Sequence, residues 1–311
     1  YKVVDGFADV YESEFQRTGN LYLTGKSNTF RTVLSVGVFL SVLLAGCPLV
    51  WACGAAVTAQ LAGVAVFDIP VRRRLPSVDI KGSMERTVPL TKATFLLFVS
   101  VFLDFYIFSA AKYAIDAYMD DVASGYFNVI FMPTSVINLA SCFVIRPVLT
   151  YLTEDWEKGK YREFVRLLCG ISGIIGVLSI LAVALAWILG RPVLGILEGL
   201  LGASYAGSLT GCHGAFVLVV LGGSFYAILN FYYYVLVILR RQRVIFGIYM
   251  VLAVLAFVLA PAMVKQDGIK GAAFAYLALM AVMAAGFTAG AGICYGVGRR
   301  KRFEEGRSFR T

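Results

Sequence analysis

Charge is scarce in this chain. Only 15% of its 311 residues are Asp, Glu, Lys or Arg, against about a quarter in a soluble domain. Beside a hydrophobic fraction of 59%, that shortage excludes an ordinary soluble globular protein, and the same figures exclude disorder. Histidine is nearly absent. His213 stands alone, with none of the further ligands that a metal site of about four donors needs, so it reads as a structural residue near an interface. No metal and no cofactor is expected. Six cysteines are present, Cys47, Cys53, Cys142, Cys169, Cys212 and Cys294, with no C-x-x-C pair among them. All lie in or beside apolar stretches and read as small packing residues, not a disulfide framework.

What is abundant is long apolar sequence. A bilayer core takes about 20 such residues per helix, and the chain supplies eight stretches. The run 32–69 holds two, broken at Gly46, Cys47 and Pro48. The others are 91–114, 122–145, 164–189, 211–239, 244–264 and 269–297. The fold expected is an all-α polytopic membrane protein of about eight transmembrane helices. Pro133 and Pro261 are expected to kink or end their helices.

The net charge of +9 follows topology and is not a nucleic-acid footprint. Four basic residues precede the first span, six lie between spans two and three, five between four and five, three between six and seven, and six in the tail, so 24 of 28 fall on one side. The rule that cytoplasmic loops carry the excess of Lys and Arg places both termini in the cytoplasm. The expected organisation is a cytoplasmic lead-in over 1–30, two spans over 31–70, a cytoplasmic loop over 71–90, six spans over 91–298 and a basic tail over 299–311. The lead-in is polar and carries both signs, unlike a signal peptide; Val3, Phe7, Val10 and Glu14 give it a partial helical stripe. A first residue of Tyr1 in place of methionine leads to the expectation of a fragment, or of processing.

Several motifs have bland readings. Residues 19–27, G-N-L-Y-L-T-G-K-S, imitate a phosphate loop, but five residues separate the glycines where four are required, and no strand precedes them. Ser172, Gly176 and Ser179 share a face, as do Gly286 with Gly290 and Gly292 with Gly296; small residues at this spacing let helices pack closely. The 40 tyrosines and phenylalanines, including Phe231, Tyr232, Tyr233 and Tyr234, fit an interfacial belt or bundle packing.

Ionisable groups at membrane depth are costly and point to function. Asp104 falls in the middle of the third span, and Lys112, two helical turns on, shares its face. Asp104 either lines a cavity or is satisfied by a neighbouring helix; Lys112 either lines the same cavity or snorkels to the outer interface. Asp116 follows on the same segment. Arg146 stands at the cytoplasmic end of the fourth span, as an end of a polar path or as a loop anchor. Asn128 and Asn138, with Gln60 and Asn230, are amides that line a cavity or bond between helices.

The stretch K-Y-A-I-D-A-Y-M-D-D-V-A-S-G-Y-F-N-V-I-F-M-P over 112–133, then S-V-I-N-L-A-S-C-F-V-I-R-P-V-L-T-Y-L over 135–152 and W-E-K-G-K-Y-R-E-F over 156–164, carry a resemblance, and G-I-K-G-A-A-F-A-Y over 268–276 extends it. They resemble the polysaccharide-biosynthesis flippases of the multidrug/oligosaccharidyl-lipid/polysaccharide exporter superfamily. The resemblance implies two six-helix lobes around a central cavity, of which this chain would hold one complete lobe and the last two helices of the preceding one. It implies a multi-pass protein of the cytoplasmic (inner or plasma) membrane. The cargo implied is an oligosaccharide on a polyprenyl pyrophosphate, with membrane lipids and polysaccharide assembly proteins as partners. A cation-coupled multidrug exporter of the same superfamily, with Asp104 as coupling carboxylate, is the near alternative. A polysaccharide polymerase or ligase is the enzymatic alternative, but the longest outer loop, 190–210, offers it only Arg191, Glu198 and Tyr205, so an enzyme is not expected.

Overall fold

The computed structural model describes residues 2–75, 83–201 and 208–308, and every element among them is helical. The chain divides into two compact units, Tyr1–Met84 and Glu85–Thr311.

In the first unit, α1 (Lys2–Arg17) turns through Gly19, at φ 79°, into α2 (Leu21–Leu44). The expected break follows, with Gly46 at φ 79° and Pro48 immediately before α3 (Leu49–Gly63). A π turn over Val64–Asp68 carries α3 into α4 (Ile69–Arg74). α1 buries Ala8 and Phe15 against this hairpin, so the lead-in is helical. The phosphate-loop lookalike is helix from Leu21 onward, with no loop to cradle a phosphate. α2 also starts well before Thr32, where the apolar run begins. Its first turns are polar, yet Ser27 and Arg31 are buried because neighbouring helices supply partners. Arg31, one of the four basic residues that precede the first apolar stretch, is an interior residue.

The second unit contains α5 (Ser83–Tyr118), α6 (Asp121–Glu157), α7 (Tyr161–Leu201), α8 (Ser208–Gly211), α9 (His213–Ile238) and α10 (Gln242–Ser308). Turns are short and chemically explicit. Asp120 caps α6 by accepting the Ala123 N–H at 3.1 Å, and Gly159 at φ 73° separates α6 from α7. Helices run through Pro133, Pro147, Pro192 and Pro261 without ending there. The segment 190–210, expected as an outer loop, is helical to Leu201; 202–207 lie outside the described residues. Glu198 is engaged as a brace, accepting from Thr210 N at 2.7 Å and Thr210 Oγ1 at 2.8 Å.

α9 is the centre of this unit, packed against α6, α7 and α10. Its sequence is largely apolar all round apart from one stripe, Tyr226, Asn230, Tyr233 and Tyr234, as suits a helix without a solvent face. Over its most apolar window 56% of residues are buried, against 17% for α7. Trp156, Tyr161, Phe164 and Tyr295 cluster where the α6–α7 turn meets the end of α10, with Phe164 and Tyr295 stacked at 5.9 Å. His213 packs beside Trp187 and Gly190. All six cysteines are unpaired; Cys294 is buried, Cys142 and Cys212 half-buried, and the other three exposed.

Among the described residues seven helices are long and apolar enough to cross a membrane, and the last counts twice. At 1.5 Å per residue, the 67 residues of α10 would reach roughly three times a 30 Å bilayer core. Gly268 divides it, at φ 58° and ψ −128°. The arms 242–267 and 269–308 pack back on one another, with Tyr249 and Phe287 rings 5.0 Å apart and Gly286 and Gly290 against Ile248. Small residues therefore admit the opposing arm at 286 and 290, whereas Gly292 and Gly296 meet nothing nearby. The protein is an all-α, multi-pass membrane protein.

Gly268 occupies backbone space closed to side chains, and Met119 Cε lies 3.2 Å from where a Cβ would stand. Gly268→Ala should cost about 1–3 kcal/mol, read as a lowered thermal unfolding midpoint in detergent. Gly292→Ala, in open space on the same helix, should leave the midpoint unchanged or raise it slightly.

Candidate functional site

A carboxylate in an apolar helix needs donors, and Asp104 obtains one from α9. Tyr226 Oη donates to Asp104 Oδ2 at 2.9 Å, while Oδ1 is buried and, among the described residues, has no hydrogen-bond partner of normal length, although the Tyr249 hydroxyl also faces the carboxylate. Around this pair lies a pocket of about 260 Å³, lined by Ser100, Val101 and Asp104 of α5, Tyr226, Leu229, Asn230, Tyr233 and Tyr234 of α9, and Tyr249 of α10. Helical periodicity builds it. Ser100 and Asp104 are one turn apart, and positions 226, 230, 233 and 234 form a stripe at i, i+4, i+7 and i+8 on one side of α9. Asn230 extends the polar stripe to α6 by donating from Nδ2 to Asn138 Oδ1 at 3.1 Å.

The expected candidates separate into those at this pocket and those elsewhere. Asp104 lines it and Asn138 joins it through Asn230. Lys112 shares the helix face of Asp104 but is occupied differently: its Nζ sits 4.2 Å from the centroid of the Phe131 ring, a cation–π contact. Aromatic rings fill the space between the two charges. Phe108 is 4.7 Å from Tyr226 and 5.2 Å from Phe131, and Tyr276 is 4.8 Å from Phe131. Asp116 is exposed and accepts from Ser124 Oγ, bracing the α5–α6 turn. Arg146 and Asn128 are exposed on α6.

Sequence reasoning missed the tyrosines. In the sequence Tyr233 and Tyr234 group with their chain neighbours as belt or packing residues. The neighbours do pack: Phe231 is buried, and Tyr232 Oη meets Ser172 Oγ at 3.2 Å. The signal that separates them is the polar stripe in an otherwise apolar helix. Among the described residues, no three of His, Cys, Asp and Glu are placed to hold a metal ion. The pocket offers one carboxylate, hydroxyls, an amide and aromatic faces: groups suited to a cation, a proton or a polyhydroxylated molecule.

Bundle and pocket together make an all-α membrane fold with a polar pocket between its helices. The chain is similar in structure to the MATE transporter VcmN of Vibrio cholerae, crystallised in the bent form, with a TM-score of 0.68 at 16% sequence identity, over 94% of this chain and 65% of that one. The likeness establishes the MATE fold, and the chain spans about two thirds of the length of that transporter. No family model matches the sequence, and no curated protein matches it either.

The Tyr226–Asp104 bond makes a comparison between two hydroxyls. A hydrogen bond to a charged group contributes about 1.5–3 kcal/mol and a neutral one about 0.5–1.5. Tyr226→Phe should therefore lower the unfolding midpoint more than Tyr232→Phe, which removes only the contact to Ser172. Differential scanning fluorimetry of both variants checks the order.

Proposed function

We propose that this chain is part of a membrane transporter of the multidrug/oligosaccharidyl-lipid/polysaccharide exporter superfamily, and that its cargo is a polyprenyl-pyrophosphate-linked oligosaccharide. The cargo moves from the cytoplasmic to the outer leaflet of the cytoplasmic membrane. The observation that carries the reading is the polar pocket around Asp104, at the middle of the apolar helix 94–118, in a bundle with the MATE fold. A sugar chain crossing hydrocarbon needs hydroxyls, amides and aromatic faces along its path, and intramembrane ionisable groups mark such paths. The sequence resemblance over 112–164 directs the choice of cargo towards a glycan. Alternating access by two rocking helical bundles supplies a path without a continuous pore. Both termini and the basic loops face the cytoplasm in this reading, and polysaccharide assembly proteins are the partners.

A cation-coupled multidrug exporter is the second reading. It is favoured by the single carboxylate of the pocket, with Tyr226 as its donor and, among the described residues, no cation in an ion pair with it, and by the MATE neighbour. Asp104 then binds the coupling cation.

A host lacking its oligosaccharide flippase separates the two. The complete gene should restore surface polysaccharide, and Asp104→Asn or Lys112→Gln should reduce that restoration by tenfold or more, as about 1.4 kcal/mol of lost path stabilisation would. Failure of the complete gene to restore polysaccharide, together with gradient-driven drug efflux, would select the second reading. Full restoration by both variants would remove these residues from the path.

A further inference from the structure

Within the first unit, α1, α2, α3 and the π turn meet over polar side chains. On α2 the buried stripe is Ser27, Arg31 and Ser35, each four residues from the next. Arg31 is 2% exposed. Its Nη2 donates to Glu12 Oε1 of α1, and its Nε lies 3.6 Å from Asp68 Oδ2 at the end of the π turn. Ser27 Oγ donates to the other oxygen of Asp68, and Gln60 Nε2 donates to Asp5 Oδ1 at 3.4 Å. The backbone makes room for the arginine. A Cβ on Gly63 would stand 2.8 Å from Arg31 Cγ, so glycine there lets the stem lie against α3. The π turn, an element favoured at functional sites, is where Asp68 enters.

The charges in this cluster do not balance. Among the described residues one guanidinium is shared by two carboxylates, Asp68 fully buried and Glu12 12% exposed, which leaves one negative charge over. Arg31 Nε and Nη1, Asp68 Oδ2 and Gln60 Oε1 are all buried without a hydrogen-bond partner. Uncompensated buried charge is strongly unfavourable, and two carboxylates competing for one cation are the arrangement in which one of them holds a proton. The smallest ligand that removes the imbalance is that proton.

We propose that Glu12, Arg31 and Asp68 form a proton-exchange site, in which a proton added to the Glu12 carboxylate leaves Arg31 to Asp68. No other bond forms or breaks. The groups facing Glu12 are Arg31 from α2, Asp68 from the π turn, and Asp5 and Asp9 from α1 itself; the nearby Arg72 of α4 is 3.9 Å from Glu14. Burial lifts Glu12 above the usual carboxylate range; Arg31 opposes the lift, and the charges of Asp9, Asp68 and Asp5 add to it. A raised acid stabilises the fold while protonated. The first unit therefore loses stability as pH rises from the ordinary glutamate value through the raised one. Deprotonation returns the second carboxylate to the contest for Arg31 and so couples proton loss to the docking of α1.

The test follows the protonated-carboxyl infrared band of the full chain in detergent against pH, beside E12Q, D68N and R31K. A component should titrate above the ordinary glutamate range and vanish in E12Q. D68N, by removing the neighbouring negative charge, should lower its midpoint by about one pH unit, and R31K should retain it. A cluster with a purely structural role would lower thermal stability in each variant without moving any titration. The same band in E12Q as in the parent, or an unmoved midpoint in D68N, would overturn the proposal. Should E12Q fail to fold, the D68N midpoint decides.

Discussion

Carboxylates placed among apolar helices must find donors inside the protein, since hydrocarbon supplies none. That constraint explains more of this molecule than its hydrophobicity does. Asp104 requires the Tyr226 hydroxyl, which fixes the rotation of α9 relative to α5 and brings Asn230, Tyr233 and Tyr234 to the same side. Asn230 then requires Asn138, which orients α6. In the first unit Asp68, the last residue of the π turn, plays the same part, drawing Ser27 and Arg31 inward. Apolar packing fills the remaining space, but it is less directional and would accept other rotations.

The two clusters share a pattern. Each holds an acidic side chain with an unpartnered buried oxygen, Asp104 Oδ1 in one and Asp68 Oδ2 in the other. They differ in their counter-groups. Asp104 is served by the neutral Tyr226 hydroxyl, in a pocket lined by further hydroxyls and an amide, so its site can accept positive charge. Asp68 competes with Glu12 for Arg31, so its site responds to protons. Lys112 stands apart from both, its ammonium held on the Phe131 ring and separated from Asp104 by aromatic side chains.

Much of the fold was legible because membrane helices announce themselves by composition. Eight apolar stretches, the break at Gly46–Pro48 and the interruption before Ile269 were all visible in single residues or short runs. The depth of Asp104 was visible for the same reason, since a charge in an apolar run is conspicuous. Its partner was not, because Tyr226 is 122 residues away and a tyrosine in a span reads equally as belt or packing. Arg31 was misread for a related reason. Counting basic residues treats each as a loop charge, whereas its burial depends on Glu12 and Asp68, which lie 19 and 37 residues from it in the chain. The polar start of α2, over 21–31, hides its first turns in the sequence, and Gly190, Arg191 and Pro192 suggest an end to α7 that the helix runs past, to Leu201.

The central claim is that the pocket around Asp104 is a wet, cargo-accessible site within the membrane. Its most direct test is cysteine accessibility in native membranes, on a chain whose six cysteines have been replaced. Asn230→Cys should react readily with a small charged thiol reagent, and Val251→Cys, on the exposed apolar surface of α10, should not. Cargo should slow the reaction at position 230. Equal inertness at both positions would contradict the account, because a sealed pocket cannot lie on a transport path.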